Sequence, residues 1–264
     1  MKIKLFVTDL DGTLLGMNHY INDTDKKAIS DLAGQGVEFA VASGRMDHEI
    51  SAVLEQLGCQ GHRVSQNGAF VYQSDGTQLN SSTFDTALAK KVFEDIIQEP
   101  LVTTVSTADK TYSHQHNEWI DVISAQLFHE ILIDPELANN LDGKLEASKI
   151  TVHGKEHAIM ALQKKIAATY GSELDCFVSH ETCVDLVPKG INKGNALHAL
   201  VNAIGLKPDE IAVIGDSFND IPMFQISEHS YAMRTAHPDV QKEARHVVDH
   251  VYEAIDDLKI KQTT

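Results

Sequence analysis

Two carboxylates one residue apart, Asp9 and Asp11, carry the first chemistry in this chain. They belong to Asp9-Leu10-Asp11-Gly12-Thr13, which directly follows the apolar run 3–8. A strand predicted over that run delivers both to its C-terminal end, where ligands bind in open α/β sheets. In extended backbone residues i and i+2 point to the same side, so the pair is expected to converge on one reacting group while Gly12 lets the chain turn. One carboxylate can then act as nucleophile and metal ligand and the other as acid and base. Asp and Gly also dominate ordinary turns, so a bare Asp-x-Asp reads first as an Asx-rich turn until it finds partners.

The partners lie elsewhere in the chain. Gly215-Asp216-Ser217-Phe218-Asn219-Asp220 again follows an apolar strand, Ile211-Ala212-Val213-Ile214. Two acidic strand ends in one parallel sheet suit magnesium, which binds through one or two carboxylates and keeps its other positions for water or substrate oxygens. Taken alone, Asp220 is equally a helix N-cap. Ser43-Gly44-Arg45 closes the strand predicted over 37–42 and offers a hydroxyl and loop N–H groups to phosphate oxygens. Lys193-Gly194 begins a helix, where an ammonium can neutralise a transferring phosphoryl group. Singly, the last two are a Ser-Gly turn and a surface lysine; jointly, every one of these segments falls at the end or start of an element in one sheet.

The elements that must position these residues follow from hydrophobic rhythm. Residues 1–83 alternate short apolar runs with helix-period segments: strands at 3–8, 37–42 and 63–65, helices at 24–32 and after Arg45 through Leu57. The rhythm returns with a helix at 193–204, the strand 211–214, a strand near Tyr231 and a helix after Pro238. Between them the order changes to helix 86–97, strands 102–106, 111–113 and 149–153, helix 156–170, and strands 175–179 and 183–187. This predicts an α/β protein: a doubly wound parallel core of residues 1–83 and 186–264, with an α+β cap of residues 84–185 inserted into it and the active site in the cleft between them.

Composition limits the partners. With 22 Lys and Arg against 38 Asp and Glu, the net charge of −16 repels nucleic acids and anionic membrane surfaces and favours a small-molecule partner. If that partner is a phosphate, the site must supply local positive charge against the global field. The N-terminal apolar run is too short for a signal peptide or a membrane span, so a cytoplasmic location is expected. Cys59, Cys176 and Cys183 lack CxxC spacing and read as reduced packing residues. The sequence sets no oligomeric state, and a monomer is compatible with it.

With its motifs in this order, the chain resembles the haloacid dehalogenase-like hydrolase superfamily, and within it the Cof-type phosphatases that carry a large α+β (type IIB) cap. The resemblance spans essentially all 264 residues and rests on Asp-Leu-Asp-Gly-Thr, Ser-Gly-Arg, Lys-Gly and Gly-Asp-Ser-Phe-Asn-Asp. It implies a phosphoric monoester hydrolase that uses Mg²⁺, with Asp9 as the phosphoryl-accepting nucleophile and Asp11 as the acid that protonates the leaving alcohol and later activates water. It implies a metal held by the Asp9 side chain, the Asp11 backbone carbonyl and Asp216. Phosphate would be held by the backbone at Leu10, by Ser43 and Gly44, by Lys193 and by Asn219. Asp220 and Arg45 would stand behind these groups, Asp220 orienting Lys193 or metal-bound water. A sugar phosphate is the substrate class implied first, with flavin or pyridoxal phosphates behind it. A phosphomutase of the same superfamily and a receiver-like regulatory module are the rival readings, separated from a hydrolase by free phosphate release and by multiple turnovers.

Other residues invite weaker readings. His114-Gln115-His116 and the pair His153 and His157 have chelating spacings but no HExxH. Trp119, beside His116, reads as a half-buried residue packing the cap or, less readily, as a pocket wall that ranks substrates. Asn67-Gly68 follows a core strand and reads as a plain turn or, less readily, as a pair facing the pocket. The C-terminal Asp256-Asp257 reads as solvated surface. No GxGxxG or GxxxxGK[ST] supports a dinucleotide site or P-loop.

Overall fold

Four consecutive buried residues, Leu5–Thr8, form strand β1 in the computed structural model, which describes residues 3–16, 20–125, 127, 129–180 and 182–263, with the backbone alone at 180 and 259–263. Met1 and Lys2, at the head of the N-terminal apolar run, lie outside the described residues. Helix α1 (Asp23–Gly34) starts where the Asn22 side chain accepts from the Thr24 N–H, and it buries Ala28, Ile29 and Leu32. Strand β2 (Glu38–Ala42) leads through the Ser43 loop into α2 (Asp47–Leu57), which stops at Gly58 in the left-handed conformation. Strands β3 (His62–Ser65), β4 (Phe70–Tyr72) and β5 (Gln78–Ser81) complete this stretch.

The chain then leaves for a second unit, Ser81–Ile191. Its elements are α3 (Thr86–Ile96), β6 (Val102–Ser106), β7 (Thr111–Ser113), α4 (Glu118–Ser124), β8 (Ile131–Ile133), α5 (Leu137–Asn140), β9 (Lys149–His153), α6 (Glu156–Tyr170), β10 (Leu174–His180) and β11 (Cys183–Pro188). Six strands pair in the order β10-β11-β9-β6-β7-β8, antiparallel except for β7 with β8. Alternation sends Val105, Ile150, Val152, Val184 and Leu186 to one face, where they pack with Val92, Phe93 and Ile96 of α3 and Ile159, Leu162 and Ile166 of α6. Burying each such side chain contributes about 1.5–3 kcal/mol before chain entropy is counted.

The return segment carries α7 (Lys193–Ala203), β12 (Ile211–Gly215), α8 (Ile221–Phe224), β13 (His229–Met233), α9 (Pro238–Glu243), β14 (His246–Val248) and α10 (Val251–Thr263). With Met1–Asn80 it forms the first unit. Its sheet has eight strands ordered β14-β13-β12-β1-β2-β3-β4-β5; the pairings from β14 through to β3 are parallel, and β4 is antiparallel to β3. The sheet is therefore a doubly wound α/β sheet. The chain builds outward from β1 through β2 and β3 on one side and from β12 through β13 and β14 on the other, so the order reverses between β1 and β12. Ligand crevices form outside the C-terminal ends of strands at such a reversal, and Asp9 and Asp216 occupy those ends. Among the described residues no helix is long and apolar enough to cross a membrane.

Candidate active site

Asp9 is held at the end of β1 by its own backbone N–H, which donates to the Ile214 carbonyl at 3.0 Å. The register Thr8↔Ile214 thus brings Asp9 beside the Gly215–Asp216 turn. From the other side comes Lys193, the first residue of α7, placed by the Asn192 cap whose side chain accepts from the Asn195 N–H. Its ammonium, buried to 1% exposure, donates to Asp9 Oδ1 and to Asp220 Oδ1, each at 2.6 Å. Asp220 Oδ2 accepts from the backbone N–H groups of Asp216 at 2.8 Å and Ser217 at 2.9 Å, so its carboxylate closes the loop that presents Asp216. By position Asp220 is the N-cap of α8, yet its side chain makes no capping bond there. Thr13 Oγ1 donates to Asp216 Oδ1 at 2.7 Å. Gly12, at φ 82°, has no room for a side chain: a Cβ would lie 2.4 Å from Asp216 Oδ2.

These contacts leave the site short of positive charge. Carboxylate oxygens of Asp9, Asp216 and Asp220 lie within 4.8 Å of one another, facing the one ammonium of Lys193. Burial pushes the Asp9 carboxyl well above the usual range; Lys193 opposes the shift, and Asp220 and Asp216 add to it. Burial, then the Asp220 charge, raises Asp216 to about 6, against the pull of Thr13 and Lys193. Burial alone works against the Lys193 ammonium, but Asp220 and Asp9 outweigh it and its pKa is raised. Oxygen-only donors, close spacing and an uncompensated buried negative charge fit a hard divalent cation of magnesium type. Among the described residues no other group of three or more His, Cys, Asp or Glu side chains converges in this way.

The two motif carboxylates do not converge as extended backbone would have them. The strand ends at Thr8, so the alternation does not run through Asp11. Asp9 faces Lys193, whereas Asp11 accepts a bidentate pair from Arg45, Nε to Oδ2 and Nη2 to Oδ1, both at 2.8 Å. Arg45 is buried and also reaches Glu49 Oε1 at 3.3 Å, while the Asp11 side chain stays 54% exposed. Of the other residues singled out by sequence, Ser43 is buried, its N–H donating to the Val64 carbonyl at 2.9 Å and its Oγ accepting from the Arg45 N–H at 3.2 Å. Gly44 lies between those two residues in the same loop. Leu10 is fully buried in the turn after Asp9, its carbonyl accepting from the N–H groups of Thr13 and Leu15. Asn219 is buried; its Nδ2 donates to Asn67 Oδ1 at 3.1 Å, and its Oδ1 finds no donor among the described residues.

Asn67 corrects the reading of a plain turn. Gln66 and Asn67 are both fully buried and both left-handed, at φ 49° and 58°. Such backbone costs about 1–3 kcal/mol per strained residue and persists only where its surroundings enforce it. The Asn-Gly pair was the available signal, but Asn67 meets Asn219 across 152 positions of sequence, a contact no local pattern announces. Thr13 went unassigned for the same reason.

The weaker candidates separate. His116 is exposed and pairs with Asp121 at 2.9 Å, while His114 stacks edge-on against Phe93, and burial lowers its pKa. Trp119 is not half-buried: it is 65% exposed and forms, with Val122, His153 and His157, part of the wall of a groove of about 720 Å³ inside the second unit. The three cysteines are free, and burial pushes the Cys176 and Cys183 thiols up to about 12, which makes them poor nucleophiles. Asp257 is not simply solvated, since it accepts from the Tyr231 hydroxyl at 2.7 Å.

Comparison with known proteins gives one family. The haloacid dehalogenase-like hydrolase family matches residues 6–255. An HMP-PP phosphatase of Serratia proteamaculans is 27% identical over 253 residues, covering 90% of this chain and 86% of that protein. The 5-amino-6-(5-phospho-D-ribitylamino)uracil phosphatase YbjI of Escherichia coli is 24% identical, covering 89% and 87%. The crystal structure of TM0651 from Thermotoga maritima superposes with a TM-score of 0.83 at 25% identity over 98% of this chain and 97% of that one. The match over nearly the whole length, together with a buried Asp9–Lys193–Asp220 chain at the reversal of a doubly wound sheet, places this protein in the haloacid dehalogenase-like hydrolases.

Proposed function

We propose that this hydrolase is a phosphatase acting on small phosphate monoesters, with Asp9 taking the phosphoryl group and water removing it. The observation that carries the reading is the ion-paired Asp9: its Oδ1 accepts from Lys193 at the end of β1, which holds the carboxylate at the strand end where ligands bind. In the first displacement an Asp9 oxygen bonds to phosphorus as the ester P–O bond breaks, and Asp11, which must first turn from the bidentate Arg45 pair and take up a proton, gives that proton to the departing alkoxide. In the second, water attacks phosphorus, Asp11 takes its proton, and phosphate leaves with Asp9 restored. Lys193 screens the phosphoryl oxygens, and the backbone at Leu10, the Ser43 loop with Gly44, and Asn219 hold them. Asp220 keeps Lys193 in place, and Arg45 orients Asp11. Asp9, Asp216 and the Asp11 carbonyl would hold Mg²⁺, which when bound supplies neutralisation of negative charge. Uncatalysed monoester hydrolysis is so slow that enzymes accelerate it by up to ~10²¹, and a site built from aimed charge suits that demand.

The substrate class is a soluble metabolite phosphate. Both relatives are named phosphatases, and the name of the second spells out a phosphorylated ribityl compound, which favours sugar phosphates and similar metabolites over macromolecular esters. The net charge of −16 agrees, since it disfavours nucleic acid. The test is phosphate release from a panel of such esters and p-nitrophenyl phosphate. EDTA-treated protein should turn over none of them and Mg²⁺ should restore turnover. Full activity without metal, or a phosphoryl group returned to sugar with no free phosphate, overturns the reading.

A further inference from the structure

One buried turn touches three of the segments assigned above to phosphate. The Gln66 N–H donates to the Arg45 carbonyl at 2.8 Å and the Asn67 N–H to the Ser43 carbonyl at 2.9 Å, so the turn grips the Ser43 loop from both ends. Asn67 Oδ1 receives the Asn219 amide at 3.1 Å. Gly68, at φ 104°, lies so close to the start of α7 that a Cβ would come within 2.7 Å of the Asn192 carbonyl, immediately before Lys193. Two consecutive left-handed residues other than glycine, fully buried, are what these simultaneous demands require.

The geometry points to Asn67 as a positioning residue for the phosphate site. Its side-chain oxygen orients the Asn219 amide, and its backbone holds the Ser43 loop at the matching depth. Among the described residues the Asn219 Oδ1 is buried with no donor, and its Nδ2 is held by the Asn67 bond. Losing it frees the amide to rotate away from the phosphate. The inference rests on the proposed function in that Asn219 and Ser43 are taken to contact phosphate.

Asn67→Gly separates side chain from backbone, because glycine keeps the left-handed turn and removes the whole side-chain amide, the Oδ1 acceptor of the Asn219 bond included. Its kcat/KM on p-nitrophenyl phosphate should fall about 3- to 10-fold, the worth of one neutral hydrogen bond, and the inhibition constant of inorganic phosphate should rise by the same factor. In an Asn219→Ala background the same change should add nothing, since its effect runs through the absent amide. Losses that multiply in the double variant, or an Asn67→Gly enzyme with wild-type kcat/KM and phosphate inhibition, overturn the assignment. A lowered Tm with unchanged phosphate inhibition shows a merely structural turn and overturns it too. Should the wild type bind phosphate with Mg²⁺ yet hydrolyse no ester, the proposed function falls while the dissociation constant of phosphate still decides Asn67; a wild type that binds no phosphate overturns both.

Discussion

The first and second units each bury an aspartate beside a lysine, and they do so in opposite electrostatic conditions. In the first, Asp9, Asp216 and Asp220 crowd the ends of parallel strands and share one ammonium, Lys193. In the second, Asp185 sits in the middle of β11, accepts from Thr151 Oγ1 at 2.7 Å on the neighbouring β9, and has the Lys149 ammonium 3.8 Å away. A buried mid-strand charge needs partners on its own sheet face, and here cross-strand neighbours supply them. Strand ends lie under no such constraint. A surplus of buried carboxylate there is what the proposed cation and substrate site calls for, whereas a matched set suits architecture.

The largest effect expected from that contrast is on turnover. Asp9→Asn should leave no measurable phosphate release, since the amide is a poor nucleophile, while Asp11→Asn should lose ~10²–10⁴-fold and lose more on an alkyl phosphate than on p-nitrophenyl phosphate. A comparable loss on p-nitrophenyl phosphate from Asp185→Asn would erase the distinction between the two clusters.

Next in size is an effect of opposite sign on stability. Asp216 has its pKa raised from 3.8 to about 6 by burial, so the folded state holds the proton more tightly than the unfolded chain. The stability tied to this group is therefore fully present below about pH 4 and is lost as pH rises through about 6. Asp216→Asn should then stabilise the metal-free protein by about 1–2 kcal/mol at pH 7.5, allowing for residual solvent screening. Asp185→Asn should destabilise it by about 1–3 kcal/mol by removing the negative charge beside Lys149 and weakening the Thr151 bond. Urea denaturation in EDTA measures both, and two shifts of the same sign would contradict the reading of the first cluster as overcharged.

The smallest effect concerns the cation. If Asp216 holds the metal as proposed, it must be ionised to do so, and apparent Mg²⁺ affinity should be about tenfold weaker at pH 5 than at pH 7.5. Magnesium titration followed by thermal shift reads this directly, and an affinity independent of pH over that range would remove Asp216 from the metal site.

Much of the second unit was legible from alternation, with strands at 102–106, 111–113 and 149–153 and the helix 156–170 found where the pattern put them. Several of the shortest elements were not. The three residues of β4 and of β8 and the four of α5 and α8 are too few to show a period, and α4 hides its two buried isoleucines, Ile120 and Ile123, in a polar segment. Both Trp119 and Asp257 were misjudged because exposure depends on what packs nearby, not on residue type.

Local sequence alone determined that acidic, hydroxyl and ammonium groups stand at the ends and starts of elements, since apolar runs and their terminators are short-range signals. Tertiary structure alone decided which of them meet. Lys193 joins Asp9 across 184 positions, Arg45 takes the Asp11 carboxylate across 34, and Asn67 receives Asn219 across 152. Those pairings come from the winding of the sheet: placing β1 between β2 and β12 brings together loops that the chain itself keeps far apart.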